Sequence, residues 1–345
     1  MSLTIKHGSR YIYLPPCKFA IDEKIHQGYI GIYTNVTMKS DPRNAILLER
    51  FQERLASSPK RVYSPMDLAI LITQLHAECA FPRSTSERKF QRLVIESGTL
   101  KEIVLTATYP FEAKRYHWDS FSPHELALSI KPGSYLSHGT AAYLHNLTDR
   151  EPPTIYVNKE QSSKNSKGNL TQAGINRAFS NKQRHSGYVV THNQVKITLL
   201  SGKHSDRLGV IKMTGRQGEQ LELTDLERTL IDIAVRPAYA GGSQVVAEVY
   251  RRALRKTSVT HLTQMLADLR YVYPYHQAIG FYLQNAGHPL PHLQGLLELG
   301  INFDFYLEHG AKSTWFDPNW RIYCPHNLPR TASYLQKYDL PEAGE

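Results

Sequence analysis

The stretch Ser84-Thr85-Ser86-Glu87-Arg88-Lys89-Phe90-Gln91-Arg92-Leu93-Val94-Ile95-Glu96-Ser97-Gly98 decides how this 345-residue chain divides. A hydroxyl at Ser84 followed by Glu87 three residues later reads as a capping box, the signature of a helix start. Phe90, Leu93 and Val94 recur at helical spacing, and Gly98 supplies the stop. The segment therefore predicts a short amphipathic helix. At about 100° per residue, Thr85, Arg88 and Arg92 turn away from the apolar stripe. Lys89 flanks them, and Arg83 stands just before the cap.

Two helices are expected upstream. Asp41-Pro42 marks a boundary, after which Leu48, Phe51 and Leu55 trace one amphipathic helix. Ser64-Pro65-Met66-Asp67 opens the next, with a capping hydroxyl, proline at the first helical position and an acid in the first turn. Leu68, Leu71, Ile72 and Leu75 carry it. Downstream, 101–108 reads as a strand, Tyr109-Pro110 as a turn and 113–118 as the returning strand. Three helices and a β-hairpin form the pattern of a winged helix-turn-helix over 42–120. In that motif the N-terminal residues of the recognition helix meet base edges in the major groove. Arginine suits bidentate contact with guanine, and Ser or Thr suits phosphates. Arg83, Ser84, Thr85, Arg88, Lys89 and Arg92 are thus candidate DNA contacts, with Lys114 and Arg115 beside the backbone in the wing. On an isolated helix, two arginines on one face would be an ordinary solvent face; the helix order and the hairpin give them a role.

Charge points the same way. The chain has 41 Lys+Arg against 31 Asp+Glu, a net +10. Between 159 and 216 there are eleven Lys or Arg and two acids, which is +9 of that total. A polyanionic partner follows, most often nucleic acid. The segment reads as a flexible arm, 159–186, leading into a basic sheet. Its strands are Tyr188-Val189-Val190 and Val195-Lys196-Ile197-Thr198-Leu199-Leu200. Lys182, Arg184, Lys196, Lys203 and Arg207 are its candidate phosphate contacts. A solvated basic loop is the plainer alternative.

Composition narrows the class. Apolar residues are 41% and charged residues 21%, ordinary for a globular protein. No apolar run approaches a membrane span, and no signal-peptide core follows Met1. Cys17, Cys79 and Cys324 lie far apart, which argues against a disulfide framework or a zinc site and for a cytoplasmic setting. Residues 1–41, rich in Tyr, Ile and Thr, predict a β-rich appendage with strands at Tyr11-Ile12-Tyr13 and Tyr29-Ile30-Gly31-Ile32-Tyr33. The overall expectation is an α+β protein: appendage, winged helix, a larger mixed α/β domain over 121–330, and a tail at 331–345.

In the larger domain, helices are expected from Ser122-Pro123-His124-Glu125, over 137–147, after Thr224-Asp225-Leu226-Glu227, and at 243–255, 258–270 and 275–285. The alternation of Ile301, Phe303, Phe305 and Leu307 predicts a strand, paired with 320–324. Glu227 is expected to bond back to the Thr224 N–H, and Arg228 to pair with Asp232 on the helix surface.

The run from Tyr135-Leu136-Ser137-His138-Gly139-Thr140 through Leu144-His145-Asn146-Leu147-Thr148, followed by Pro153-Thr154-Ile155-Tyr156-Val157, resembles the AbiEi family of antitoxins. A second block agrees: Leu223-Thr224-Asp225-Leu226-Glu227-Arg228-Thr229-Leu230-Ile231-Asp232, then Arg236-Pro237 and Gly241-Gly242. The likeness spans roughly 120–325. It implies an AbiEi-type C-terminal domain and a repressor of its own operon. It also implies the antitoxin of a type IV toxin–antitoxin pair, whose toxin is a nucleotidyltransferase-like partner.

Catalytic motifs are poor. Gly310-Ala311-Lys312-Ser313-Thr314 lacks the first glycine of a phosphate loop and falls between expected strands. His288 and His292 are separated by Pro289 and Pro291, against a helical metal pair. His138 and His145 read as buried or capping histidines. Gln194-Val195-Lys196 on a strand, with Asp206 nearby, is the one pattern suggesting a Mg²⁺-dependent nuclease. The expectation is a non-enzymatic, cofactor-free and metal-free protein that binds double-stranded DNA. A defence nuclease and an adaptor that neutralises an acidic toxin are the alternatives. With about eight phosphates neutralised, log affinity would fall against log salt with a slope near −7.

Overall fold

A computed structural model describes residues 6–7, 10–11, 43–79, 81–110, 114–163 and 169–328. The chain forms two compact units, 1–42 and 43–345. In the first, β1 (Lys6–His7) pairs antiparallel with β2 (Arg10–Tyr11). The strand expected at 29–33, most of the appendage, Lys164, Lys167, Ala113 and the 331–345 tail lie outside the described residues.

The second unit opens with α1 (Arg43–Ser57), β3 (Val62–Tyr63), α2 (Pro65–Glu78) and α3 (Glu87–Glu96). Ser64 caps α2 as its sequence suggests: its hydroxyl accepts from the Asp67 N–H, and Asp67 accepts from the Ser64 N–H at 2.8 Å. Leu47, Phe51 and Leu55 of α1 meet Leu68, Ile72 and Leu75 of α2 and Phe90 and Val94 of α3 in one core. The Phe51 and Phe90 rings cross edge-to-face at 5.8 Å. After α3 come β4 (Lys101–Val104), β5 (Thr106–Ala107) and β6 (Lys114–His117). Strands β3, β6 and β4 make a three-stranded antiparallel sheet against the helices.

The α3 start departs from expectation. Ser86, not Ser84, is the N-cap, accepting from the Lys89 N–H. Glu87 does not close a capping box. Its carboxylate takes the Thr73 hydroxyl and lies 3.0 Å from His76 Nδ1, both on α2. A start two residues later turns Thr85 out of the helix and into the core.

Then follow α4 (Pro123–Leu128), β7 (Tyr135–Leu136), α5 (His138–Leu144), β8 (Thr154–Glu160) and α6 (Gln172–Phe179). Four strands complete the β-rich part: β9 (Val189–His192), β10 (Val195–Gly202), β11 (Val210–Thr214) and β12 (Gln220–Thr224). They build a seven-stranded mixed sheet ordered β11-β12-β7-β8-β10-β9-β5. Its centre is the parallel pair β8/β10, with Ile197 opposite Ile155 and Leu199 opposite Val157. Strand β5 is its far edge, Thr106 opposite Thr191 on β9. One chain segment thus serves two sheets, β4 in the small one and β5 in the large one. A shared core underlines the join: Val62, Ile103 and Leu105 pack with Leu126, Leu136, Ile155, Val157 and Leu223.

A helical layer follows: α7 (Leu226–Val235), α8 (Ser243–Ala253), α9 (Val259–Leu269), α10 (Tyr275–Ala286) and the short α11 (Gln294–Leu297). The described residues close with a three-stranded sheet of β13 (Phe305–Tyr306), β14 (Thr314–Asp317) and β15 (Ile322–Pro325). Buried Gln277 ties α10 to it, donating to the carbonyls of Phe303 and Trp320. Gly280 lets the fully buried Trp320 ring lie against α10; a Cβ there would sit 2.1 Å from the indole.

The α7 start also corrects the sequence reading. Asp225 is the N-cap, and Glu227 reaches across to accept from the Ser258 N–H at the head of α9. Arg228 and Asp232 do pair, at 2.9 Å, but inside the protein rather than on its surface. The molecule is α+β. Among the described residues no helix is long and apolar enough to cross a membrane.

Candidate nucleic-acid interface

Helix α3 buries Phe90 and Val94 and turns Arg88, Lys89 and Arg92 to solvent. Arg83 and Ser84, in the turn before it, are exposed as well. Among the described residues no carboxylate forms an ion pair with Arg83, Arg88 or Arg92. Lys89 is partly held, its Nζ 2.9 Å from the Ser84 carbonyl. Glu87, at the helix start, is turned toward α2, and the His76 and Thr73 hydrogen bonds keep its carboxyl below the usual range. The α3 face therefore presents Arg83, Arg88, Lys89 and Arg92 against one exposed acid, Glu96, which pairs with none of them among the described residues.

Two expected contacts are not there. Thr85 is buried, and its hydroxyl donates to Asn44 Oδ1 of α1 at 3.0 Å. Arg115 is 3% exposed, and its guanidinium donates to the carbonyls of Ser129 and Ile130, which close the end of α4. Its neighbour Lys114 is exposed but bridges to Glu102 across the hairpin at 3.0 Å, which raises the amine above its ordinary value. Strand alternation separates the two: one side chain faces out and the next faces the body.

The basic segment is ordered over most of its length, not a free arm. It contains α6, β9, β10 and β11. Lys196 is exposed on β10, between Thr154 of β8 and Thr191 of β9. Lys182 and Arg184 are exposed in the connection from α6 to β9. Other cations are held by the protein itself. Lys203 donates to the Arg270 carbonyl at 3.0 Å. Arg207 pairs with Glu222 at 3.1 Å, donates to the Gly133 carbonyl and lies over the Tyr135 ring. Arg216 lies over Tyr143 and bonds its hydroxyl. Gln194 falls in the β9–β10 turn rather than on a strand, and Asp206 sits in an exposed turn at φ 53°. Among the described residues, no three His, Cys, Asp or Glu side chains converge as a metal site.

Beneath this surface lies an open cleft of about 970 Å³, lined from β8, β10, α7 and the 271–275 segment. Four cations line it, Arg184, Lys203, Arg228 and Arg236, against the single carboxylate of Asp232. Burial opposes the charge of Arg228, and Asp232 overrides that, holding the guanidinium protonated well above its ordinary range. His138 also lines the cleft. Its backbone sits at φ 53°, and burial pushes its ring down to about 4, so it is neutral at pH 7. A neighbouring hollow of about 600 Å³ shares Arg184 and Arg236 and adds Arg177 and Lys182. No local signal marks Arg236 as a cleft residue, because Arg236-Pro237 reads only as a helix end.

No protein-family model matches the chain, and no curated protein matches it. Among solved structures it is similar to the crystal structure of RV2827C protein from Mycobacterium tuberculosis. The two are 16% identical, with a TM-score of 0.49 over 85% of this chain and 94% of that one.

Proposed function

We propose that the chain is a sequence-specific repressor that binds double-stranded DNA through a winged helix-turn-helix over 42–120, with α3 as the recognition helix. The observation that carries this reading is the α3 face, where Arg83, Arg88 and Arg92 are exposed with no ion-pairing acid among the described residues. A cation already paired gains little by meeting a phosphate, whereas an uncompensated one releases counterions from the duplex. Arg88 and Arg92 are one turn apart on one face, the spacing at which two side chains enter one groove.

Correcting for the residues held internally, the DNA contacts are Arg83, Ser84, Arg88, Lys89 and Arg92 on the helix and Lys182, Arg184 and Lys196 on the basic segment. If the seven cations each neutralise one phosphate, the salt slope is about −6. The role as antitoxin, with a nucleotidyltransferase-like toxin as partner, rests on the AbiEi resemblance of 120–325. An adaptor that neutralises an acidic toxin could use the same basic surface.

The test is titration of the full chain against the duplex upstream of its own gene, beside a scrambled duplex of equal length. Arg88→Ala plus Arg92→Ala should abolish discrimination between the two while the fold is kept. Equal binding of both duplexes by the unaltered protein, or a salt slope weaker than about −2, would overturn the repressor reading. Toxin binding indifferent to DNA and to Arg88 and Arg92 would favour the adaptor.

A further inference from the structure

The cleft between β10, α7 and the 271–275 segment has, apart from Arg184, features that duplex binding does not use. The Arg228 charge is answered by Asp232 through Nε, and its Nη1 donates to the Ser205 hydroxyl and the Leu208 carbonyl. The positive field left over comes from Arg184, Lys203 and Arg236. Arg184 and Arg236 form no ion pair among the described residues. One buried polar atom at the cleft and one in the adjoining hollow also lack a partner. Asn158, 3% exposed on the floor, donates through Nδ2 to the Tyr135 hydroxyl but leaves Oδ1 unbonded. Gln183 Nε2, in the adjoining hollow beside Arg184 and Arg236, is a donor with no acceptor. Unsatisfied buried groups of this kind cost free energy unless a ligand or water completes them. Gly202 matters here, since a Cβ at that position would run into the Asn158 amide.

The walls are aromatic. Tyr188 is 51% exposed at one rim, braced edge-to-face by Tyr109. Half-buried Tyr273 stands elsewhere in the lining, and the His185 ring packs on Tyr239. Guanidinium groups suit phosphate oxygens, tyrosine faces suit a planar heterocycle, and an amide oxygen suits a ribose hydroxyl or an exocyclic amine. About 970 Å³ is ample for one such molecule.

We infer that this cleft binds a nucleoside polyphosphate, with phosphates on Arg184 and Arg236, the ring against Tyr188, and a hydroxyl or amine on Asn158. Arg184 is shared with the duplex contacts, but Arg236, Tyr188 and Asn158 are not among them, so the inference does not rest on the repressor reading.

The test is calorimetric titration of the full chain with ATP and GTP, with pyrophosphate and adenosine as part-ligands and a short single-stranded dT oligomer as comparison. One of the triphosphates should bind at one site per chain, more tightly than pyrophosphate or adenosine. Arg236→Ala should weaken it by about tenfold or more, the loss expected for one charge-assisted contact. Tyr188→Leu should weaken the nucleotide but not pyrophosphate, and both variants should keep the parent melting temperature and duplex affinity. The inference is overturned if neither triphosphate binds at about 1 mM, a concentration matching only the weakest specific affinity. Binding unchanged by Arg236→Ala, pyrophosphate as tight as the nucleotide, or binding of the oligomer alone would also overturn it. Since duplex affinity is read in the same variants, failure of the nucleotide site and failure of the repressor reading are separate results.

Discussion

The Thr85 hydroxyl donates to Asn44 Oδ1 at 3.0 Å, joining the turn before α3 to the first turn of α1 inside the core. This bond fixes where the helix bearing Arg88 and Arg92 begins. Both side chains are buried, so neither can turn to water if the other is removed.

Asn44→Ala should therefore cost about 1–3 kcal/mol, the price of a buried hydroxyl stripped of its acceptor. Chemical denaturation reads this directly. A change below about 0.5 kcal/mol would mean that Thr85 finds another acceptor.

Arg115 and the arginines of α3 should separate stability from binding. Arg115→Met leaves the Ser129 and Ile130 carbonyls without the donors they have now. The expected loss is about 1–3 kcal/mol in stability. Arg88→Ala plus Arg92→Ala removes exposed side chains only and should alter stability by about 0.5 kcal/mol or less. The duplex titration should show the reverse order, with the double variant far more damaged than Arg115→Met.

These outcomes also mark what could be read from the amino acids. The α2 and α4 starts were legible because Ser64-Pro65 and Ser122-Pro123 carry their caps within four residues. The α3 start was two residues off: Ser84 and Ser86 are chemically equivalent caps, and only the tertiary partners of Glu87 and Thr85 choose between them. Strand β7 is two residues long and owes its existence to partners elsewhere in the chain, so no local pattern marks it; the run 101–108 reads as one strand, and only the pairing of Thr106–Ala107 with β9 divides it between two sheets. Arg115 and Arg207 read as free charge because sequence shows a cation but not the carbonyls and carboxylates that come to meet it.

The Arg228–Asp232 pair is nearly closed to solvent. Arg228→Met would leave the Asp232 carboxylate buried without its counter-charge, at an expected cost of about 3–5 kcal/mol. Arg228→Met with Asp232→Leu should cost less than Arg228→Met alone. If the double variant is the more damaged by denaturant titration, the pair's worth lies in its bonds to Ser205 and Leu208 instead.

His138 makes the fold sensitive to mild acid. Burial lowers its ring from the ordinary 6.5 to about 4, so the unfolded chain takes up a proton that the folded protein refuses. Its contribution is complete above pH 6.5 and is lost as pH falls toward 4, by about 1.4 kcal/mol per unit. His138→Asn, which tolerates the positive φ, should shrink the stability difference between pH 7 and pH 5 by about 2 kcal/mol. Parallel urea titrations at the two pH values would measure it, and an unchanged difference would refute the assignment.

The hand-off of one chain segment from the small sheet to the large one has a practical result. Cutting near residue 120 to obtain the first helices and small sheet alone would strip Val189–His192 of one neighbour and leave Thr106–Ala107 dangling. It would also expose Val62, Ile103 and Leu105 along one torn seam. Both fragments would carry raw, sticky borders of the kind that recruit other chains. The two halves are better regarded as a welded tool than as a head on a swivel.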